Sequence, residues 1–326
     1  MKPKIILYNQ IKKELVAELQ AYSEVYQLSK EHPSFLQELQ TAEGIIGSGL
    51  KVDEELLDQA LLLRIISNIS VGYDNLDMKE LTNRGIMATN TPDVLTETTA
   101  DTVFGLIMAV ARRMPELDAY VKAGHWKEKL TKDQFGIDIH HKTLGIIGMG
   151  RIGKAVAERA RYGFKMNIIY HNRSRNVPAE EELDAEFTSL DELLANADYV
   201  CLLAPLSPDT INLIGKREFK LMKESAIFIN GARGAMVVEE DLADALANGE
   251  IRAAGVDVYR EEPLDAKSPL LRLKNIVTLP HIGSATEETR DKMAELAVRN
   301  LITGLKGERP PCLINNEVLV TERQGE

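Results

Sequence analysis

Thr143-Leu144-Gly145-Ile146-Ile147-Gly148-Met149-Gly150-Arg151-Ile152-Gly153, continued to Arg175, is the stretch from which the fold is read. Leu144 to Ile147 is an apolar run that reads as a buried strand. It runs straight into the glycines. Beyond them Ala155, Val156, Ala157 and Ala160 suit an amphipathic helix, and Asn167 to Tyr170 reads as a second strand. Strand, glycine turn, helix and strand form the setting that a dinucleotide fingerprint requires. There Gly148 makes the tight turn, Gly150 lets a pyrophosphate approach the backbone, and Gly153 lets the helix pack on the strand. The helix N-terminus adds free N–H groups and a dipole that favours phosphate. A GxGxxG alone is weak, because glycine turns are common. The βαβ pattern around it gives it weight.

The chain has 326 residues, enough for two domains with substantial cores. With 44% hydrophobic and 27% charged residues it has the composition of an ordinary globular protein. A net charge of −11 argues against a nucleic-acid or anionic-membrane partner, since neutralising phosphates needs basic surface. An anionic small substrate stays open to local cations. Cys201 and Cys312 make no disulfide framework. The N-terminus resembles a first strand (Ile5 to Tyr8) more than a signal peptide, and Phe104 to Ala111, the longest notable apolar run, is too short to span a membrane. A reducing cytoplasm is the expected location.

In order, Ile5–Tyr8, Val25–Leu28, Gly44–Ser48, Ile65–Ser67 and Ile86–Thr89 are strand candidates in the first part of the chain, with a helix over Lys12–Tyr22. Alternating strands and helices imply a parallel sheet covered on both faces. Thr96–Arg113 reads as a long apolar helix lying between domains and ending before Pro115. Pro115 to His141 is a mixed segment holding the only tryptophan, Trp126. His140-His141 invites a metal reading, but adjacent histidines are expected to point apart and no carboxylate–histidine cluster accompanies them, so no metal is assigned. Asp198–Ala204, Ala226–Asn230, Ala253–Val258 and Ile276–Leu279 read as further strands, with helices over Leu190–Ala195, Glu239–Ala247 and Thr286–Leu305. Pro310-Pro311 breaks the pattern, and the polar tail to Glu326 is expected to fray.

Three polar residues follow strand-like runs after the fingerprint: Arg233 in Gly231-Ala232-Arg233-Gly234, Glu262 in Tyr259-Arg260-Glu261-Glu262-Pro263, and His281 in Pro280-His281-Ile282-Gly283. All three face the crevice at the strand ends. Carbonyl reduction needs such a set. A guanidinium binds a carboxylate in bidentate fashion and polarises a carbonyl. An imidazolium gives a proton to the nascent alkoxide, a carboxylate holds the ring in its charged form, and a nicotinamide supplies the hydride. Each residue alone reads better as a salt bridge or a cap; the three together reverse that reading.

These motifs resemble the D-isomer-specific 2-hydroxyacid dehydrogenase family over nearly the whole chain. More narrowly, Ile69 to Asn75, Thr91 to Thr98, His140 to Gly153 and Pro280 to Thr286 resemble the bacterial glyoxylate/hydroxypyruvate reductases that also act on 2-ketogluconate. The resemblance implies an α/β fold of two doubly wound parallel-sheet domains. A Rossmann cofactor domain over 99–284 is inserted into a flavodoxin-like substrate domain made of 1–98 and 285–326. It implies Arg233, Glu262 and His281 as the catalytic set, with the backbone N–H groups of Val71 and Gly72 joining Arg233 on the substrate carboxylate. Arg151, Ile152, Pro205, Thr210, Ala232 and Gly283 would border the cofactor, and Asp257 would face the nicotinamide carboxamide. A homodimer is implied, with the segment 115–140 reaching the partner. Ala232 departs from the glycine or serine common before the family's arginine, which touches fine positioning and not the role.

The second departure concerns the cofactor. NAD enzymes of this fold place an Asp or Glu about 20 residues past the glycines to bind the ribose hydroxyls. Here Asn172-Arg173-Ser174-Arg175 stands there. A carboxylate would repel a 2′-phosphate, whereas Asn172 and Ser174 can donate to it and Arg173 adds charge and a planar face. The expectation is a reductase of small 2-oxo acids that prefers NADP, with NAD as the secondary cofactor. The alternatives are another specificity of the same chemistry (lactate, phosphoglycerate or formate) and a dinucleotide-sensing binding protein.

Overall fold

The computed structural model of the chain describes residues 2–321. The chain forms two compact units, Met1–Leu95 with Thr286–Glu326, and Thr96–Ala285. The first is built on five parallel strands: β1 (Lys4–Leu7), β2 (Glu24–Gln27), β3 (Gly44–Gly47), β4 (Ile65–Asn68) and β5 (Met87–Thr89). Their order is β2-β1-β3-β4-β5, the flavodoxin-like arrangement. A parallel sheet is covered on both faces, so β3 and β4 are buried at every residue. Phe35, Leu39, Leu57 and Leu81 fill one core of this unit. The helix Glu287–Leu305 packs on β3 and β4, where Ser67 Oγ donates to the Ala297 carbonyl at 2.8 Å.

The tail expected to fray runs to Glu326, and its residues 322–326 lie outside the described residues. Residues 312–315 and Val318 pack. Leu313 bridges Thr89, and Asn315, 3% exposed, uses its side chain as a further strand edge. Its Oδ1 accepts the Ala88 N–H at 2.9 Å and its Nδ2 donates to the Ile86 carbonyl at 2.9 Å. Satisfying an edge strand's backbone is the physical reason the polar segment is ordered.

The second unit holds seven parallel strands: β6 (Thr143–Ile147), β7 (Asn167–His171), β8 (Ala185–Phe187), β9 (Tyr199–Leu202), β10 (Ile227–Asn230), β11 (Ala253–Val256) and β12 (Ile276–Thr278). The order is β12-β11-β10-β9-β6-β7-β8. The chain starts in the middle at β6, winds out to β8, then crosses back to β9 and winds out the other way. The direction reverses between β6 and β9, which is where such sheets bind ligands at their carboxyl ends. Strand β8 was not legible: three residues with two exposed carry no apolar run.

The helix read as lying between domains, observed over Thr96–Ala111, buries its apolar face on this sheet. Val103, Phe104 and Ile107 share a core with Ile146, Ile168 and Ile229, and Leu106 and Val110 sit directly over Gly255 of β11. It ends where Arg113 takes the left-handed conformation at φ 54°. A new helix, Met114–Lys122, follows at once, with Pro115 in its first turn, where the missing N–H costs nothing. The expectation that His140 and His141 point apart is corrected as well. His141 stands at φ 61°, and the two Nδ1 atoms come within 3.0 Å. Among the described residues no three His, Cys, Asp or Glu converge as metal ligands, and no helix is long and apolar enough to cross a membrane.

Candidate active site

The glycine turn after β6 has the shape its sequence promised. Gly148 lies at φ 103°, and a Cβ there would meet the Ala204 nitrogen at 2.3 Å, so the turn presses against the loop after β9. A Cβ on Gly153 would lie 2.4 Å from the Gly148 carbonyl oxygen. Around Gly150 there is open space to 4 Å. The helix Arg151–Glu158 starts there without a side-chain cap, leaving its first N–H groups to an anion. This donor set and this space fit a dinucleotide pyrophosphate.

The end of β7 refines the cofactor reading. Asn172 was expected to donate to a 2′-phosphate, but its amide is engaged by the glycine turn. Its Oδ1 accepts the Met149 N–H at 2.7 Å, and its Nδ2 faces the Met149 carbonyl at 3.3 Å. Asn176, unforeseen in the sequence, donates to the same carbonyl at 2.9 Å and caps the following helix through Ala179. Arg175 turns away and pairs with Glu180, whose carboxyl is pulled to about 2 by Arg175 and the Tyr170 hydroxyl. Arg173 and Ser174 stay exposed at the turn. In the loop after β9, Thr210 Oγ1 donates to the Pro205 carbonyl at 2.9 Å and accepts the Ser207 N–H at 2.7 Å, closing that loop on itself.

Arg233, Glu262 and His281 follow β10, β11 and β12, which are neighbours in the sheet. His281 Nδ1 meets Glu262 Oε2 at 2.7 Å. A carboxylate can only accept, so Nδ1–H donates, and Nε2, with no partner among the described residues, is the ring atom left for chemistry. The other oxygen, Glu262 Oε1, accepts the Tyr259 N–H at 3.0 Å. Burial alone would raise the Glu262 carboxyl; the bonds from His281 and Tyr259 and the charges of His281 and Arg233 outweigh it and hold it below its ordinary value. His281 stands at φ 54°, a left-handed conformation uncommon for a side-chain-bearing residue and concentrated at functional sites.

Asp257 explains how that conformation is held. Its carboxylate is 4% exposed and accepts the N–H groups of Ile282 and Gly283 at 2.8 Å each. Burial, the largest influence, pushes its carboxyl above the ordinary value against those bonds. Tyr259 Oη donates to the Leu279 carbonyl at 2.9 Å, tying the glutamate loop to the histidine loop. Burial pushes that hydroxyl up to about 12, so it stays a donor. Gly234 brings the arginine loop in: a Cβ there would sit 1.8 Å from the Tyr259 carbonyl carbon. Arg233 Nη1 donates to the Ala232 carbonyl at 2.7 Å. Tyr259 carries much of this scaffolding, and nothing in its sequence setting announced it beyond its place after a strand.

In the first unit, Val71 and Gly72 follow β4. Asn90 Nδ2 donates to the Val71 carbonyl at 2.9 Å and Asn68 Nδ2 to the Gly72 carbonyl at 2.9 Å. The carbonyls are thus turned onto asparagines, and among the described residues the two N–H groups have no acceptor. Adjacent unpaired N–H groups at a strand's carboxyl end make a small anion grip.

Comparison with known proteins agrees with this geometry. Residues 104–283 match the family description "D-isomer specific 2-hydroxyacid dehydrogenase, NAD binding domain". The chain is 48% identical over 325 residues to glyoxylate/hydroxypyruvate reductase B of Yersinia pestis bv. Antiqua (strain Nepal516), covering 98% of this chain and 100% of that one. Among solved structures it is similar to the NADPH-dependent glyoxylate/hydroxypyruvate reductase of Sinorhizobium meliloti in complex with NADP and malonate. That match has a TM-score of 0.88 at 30% identity over 98% of each chain. A glyoxylate reductase from Paecilomyes thermophila matches with a TM-score of 0.87 at 32% identity, covering 96% of this chain and 98% of that one. With its fingerprint, its arginine–glutamate–histidine strand ends and these full-length likenesses, the chain belongs to the D-isomer-specific 2-hydroxyacid dehydrogenase family.

Proposed function

We propose that this protein is an NADPH-preferring reductase converting small 2-oxo acids, with glyoxylate, hydroxypyruvate and 2-ketogluconate foremost, to D-2-hydroxy acids. The observation that carries the reading is the His281–Glu262 pair, bonded through Nδ1 at 2.7 Å so that Nε2 is left for a substrate oxygen. When bound, the nicotinamide cofactor supplies the hydride. His281 Nε2 gives the proton to the forming alkoxide, and Glu262 holds the ring and offsets its charge. Arg233 binds the substrate carboxylate and polarises the carbonyl, with the N–H groups of Val71 and Gly72 as further carboxylate donors. Arg233 has a specific reason to be arginine, because a lysine is a point charge without the fork.

Gly148, Gly150 and Gly153 with Arg151 and Ile152 cradle the pyrophosphate. Pro205, Thr210, Ala232, Asp257 and Gly283 line the rest of the cofactor's path, and Arg173 and Ser174 take the 2′-phosphate. Asn172 serves the same subsite through the turn it holds. On this assignment Met1 to residue 98 with 285–326 is the substrate domain, and 99–284 the cofactor domain. The protein works in the cytoplasm as a homodimer; the exposed Val121, Trp126, Leu130 and Phe135 in one segment support a protein-covered surface there. Sedimentation at micromolar concentration checks the dimer: a monomer would refute it. Initial rates with a panel of 2-oxo acids and both reduced cofactors test the activity. No oxidation of either cofactor would favour a dinucleotide-sensing role instead.

A further inference from the structure

We infer that Asn230 is a positioning residue that aims Arg233 at the substrate. The inference rests on the reading that Arg233 grips the substrate carboxylate. Asn230 is the last residue of β10 and is 1% exposed. Its amide is spent entirely on the turn that carries the arginine. Oδ1 accepts the Ala232 N–H at 3.1 Å, and Nδ2 donates to the Arg233 carbonyl at 3.2 Å. Only one orientation of the amide satisfies both bonds, since the first needs an acceptor and the second a donor. The side chain therefore brackets Gly231-Ala232-Arg233 from both ends, as a side-chain turn that replaces a backbone one.

The rest of the turn leans on the same frame. The Asn230 carbonyl accepts the Asp257 N–H at 3.0 Å, and Asp257 in turn holds the histidine loop. Arg233 itself is extended, at φ −145° and ψ 142°, and its Nη1 bonds the Ala232 carbonyl at 2.7 Å. The guanidinium is thus folded against a peptide unit whose neighbour Asn230 fixes. Remove the amide and the peptide between residues 232 and 233 can rotate, carrying the fork with it. A bidentate fork tolerates such rotation poorly, because both of its parallel bonds must be made at once.

The test is Asn230→Ala, with Asn230→Asp as an isosteric partner that keeps the Ala232 bond and loses donation to Arg233. Wild type must first oxidise NADPH with glyoxylate; if it does not, the activity reading fails before the variants are compared. Given activity, Asn230→Ala should lower kcat/KM for glyoxylate roughly 10- to 100-fold, with KM rising. The Kd for NADPH, measured by fluorescence, should change less than about twofold, and malonate, a dicarboxylate with no carbonyl to reduce, should bind the enzyme–NADPH complex more weakly in step with KM. Introduced into Arg233→Lys, the same change should cost less than about threefold, because a flexible ammonium needs no aimed fork. Should Asn230→Ala prove unstable, Asn230→Asp must show the raised KM for glyoxylate at unchanged NADPH affinity. Wild-type KM in the folded variant, or losses that multiply fully with those of Arg233→Lys, would overturn the inference.

Discussion

Replacing Gly234 by alanine presses on the point where the arginine and glutamate loops meet. The added Cβ would lie 1.8 Å from the Tyr259 carbonyl carbon and 2.2 Å from the Arg260 nitrogen. Ordinary contact begins at 3.4 Å, so the two backbones must part by about 1.6 Å, and neither is a flexible side-chain end. Overpacking of this kind costs about 1–3 kcal/mol of stability. The functional cost is of similar size. Tyr259 N–H bonds Glu262, and Arg233 immediately precedes Gly234, so the shift falls between the glutamate that holds His281 and the arginine proposed to bind the substrate carboxylate. A displacement near 1 Å is worth about 10²-fold in rate, so kcat/KM for glyoxylate should fall at least about 10²-fold. Affinity for NADPH should fall far less than kcat/KM, because the turn after β6 that cradles the pyrophosphate is untouched even though Ala232 moves with the loop. NADPH oxidation followed at 340 nm, with NADPH binding measured separately, decides it. A folded Gly234→Ala enzyme with wild-type kcat/KM would refute the claim that these loops form one rigid site.

Other perturbations address the remaining parts. His281→Ala should lose roughly 10²–10⁴-fold in kcat, the usual worth of general acid catalysis, with NADPH binding intact; near-normal kcat would remove the histidine from the mechanism. Glu262 has a folded value depressed below the ordinary one, so its contribution to stability is present above the unfolded carboxylate range and is lost as pH falls through the lower folded value. Unfolding titrations should therefore find wild type losing more stability than Glu262→Gln as pH falls below about 4.5, and parallel curves would contradict this. Arg173→Ala should damage use of NADPH while sparing NADH, whereas equal losses with both would make it structural. Asn315→Ala strands the Ala88 N–H and the Ile86 carbonyl and should cost about 2–4 kcal/mol by urea unfolding, against a negligible loss if water replaces the amide.

The strands were legible wherever burial on both faces forced an apolar run, as in Ile45-Ile46 and Ile227-Phe228-Ile229. Strand β8 was not, because an edge strand of three residues is half solvated and needs no apolar signal. The helix after Arg113 was hidden by Pro115, read as a stop although proline is at home in a first turn. The ordered tail was hidden because its anchor is a polar residue, Asn315, bonding backbone rather than filling a core. The same limit applies at the site. Arg233, Glu262 and His281 could be named from their places after strands, since ladder topology brings strand ends together. That Asn172 and Asn176 bind the glycine turn, or that Asp257 clamps the histidine loop, depends on side-chain direction across segments far apart in sequence. No periodicity encodes that.

The central claim is most directly tested by kcat/KM of the wild-type protein for glyoxylate and hydroxypyruvate with NADPH and with NADH, at one pH and one ionic strength. The account predicts reduction of both acids with NADPH clearly favoured, a preference that Asn172→Asp shifts toward NADH. Equal use of the two cofactors by wild type would contradict the assignment of the turn after β7, and no oxidation of either would contradict the reductase itself.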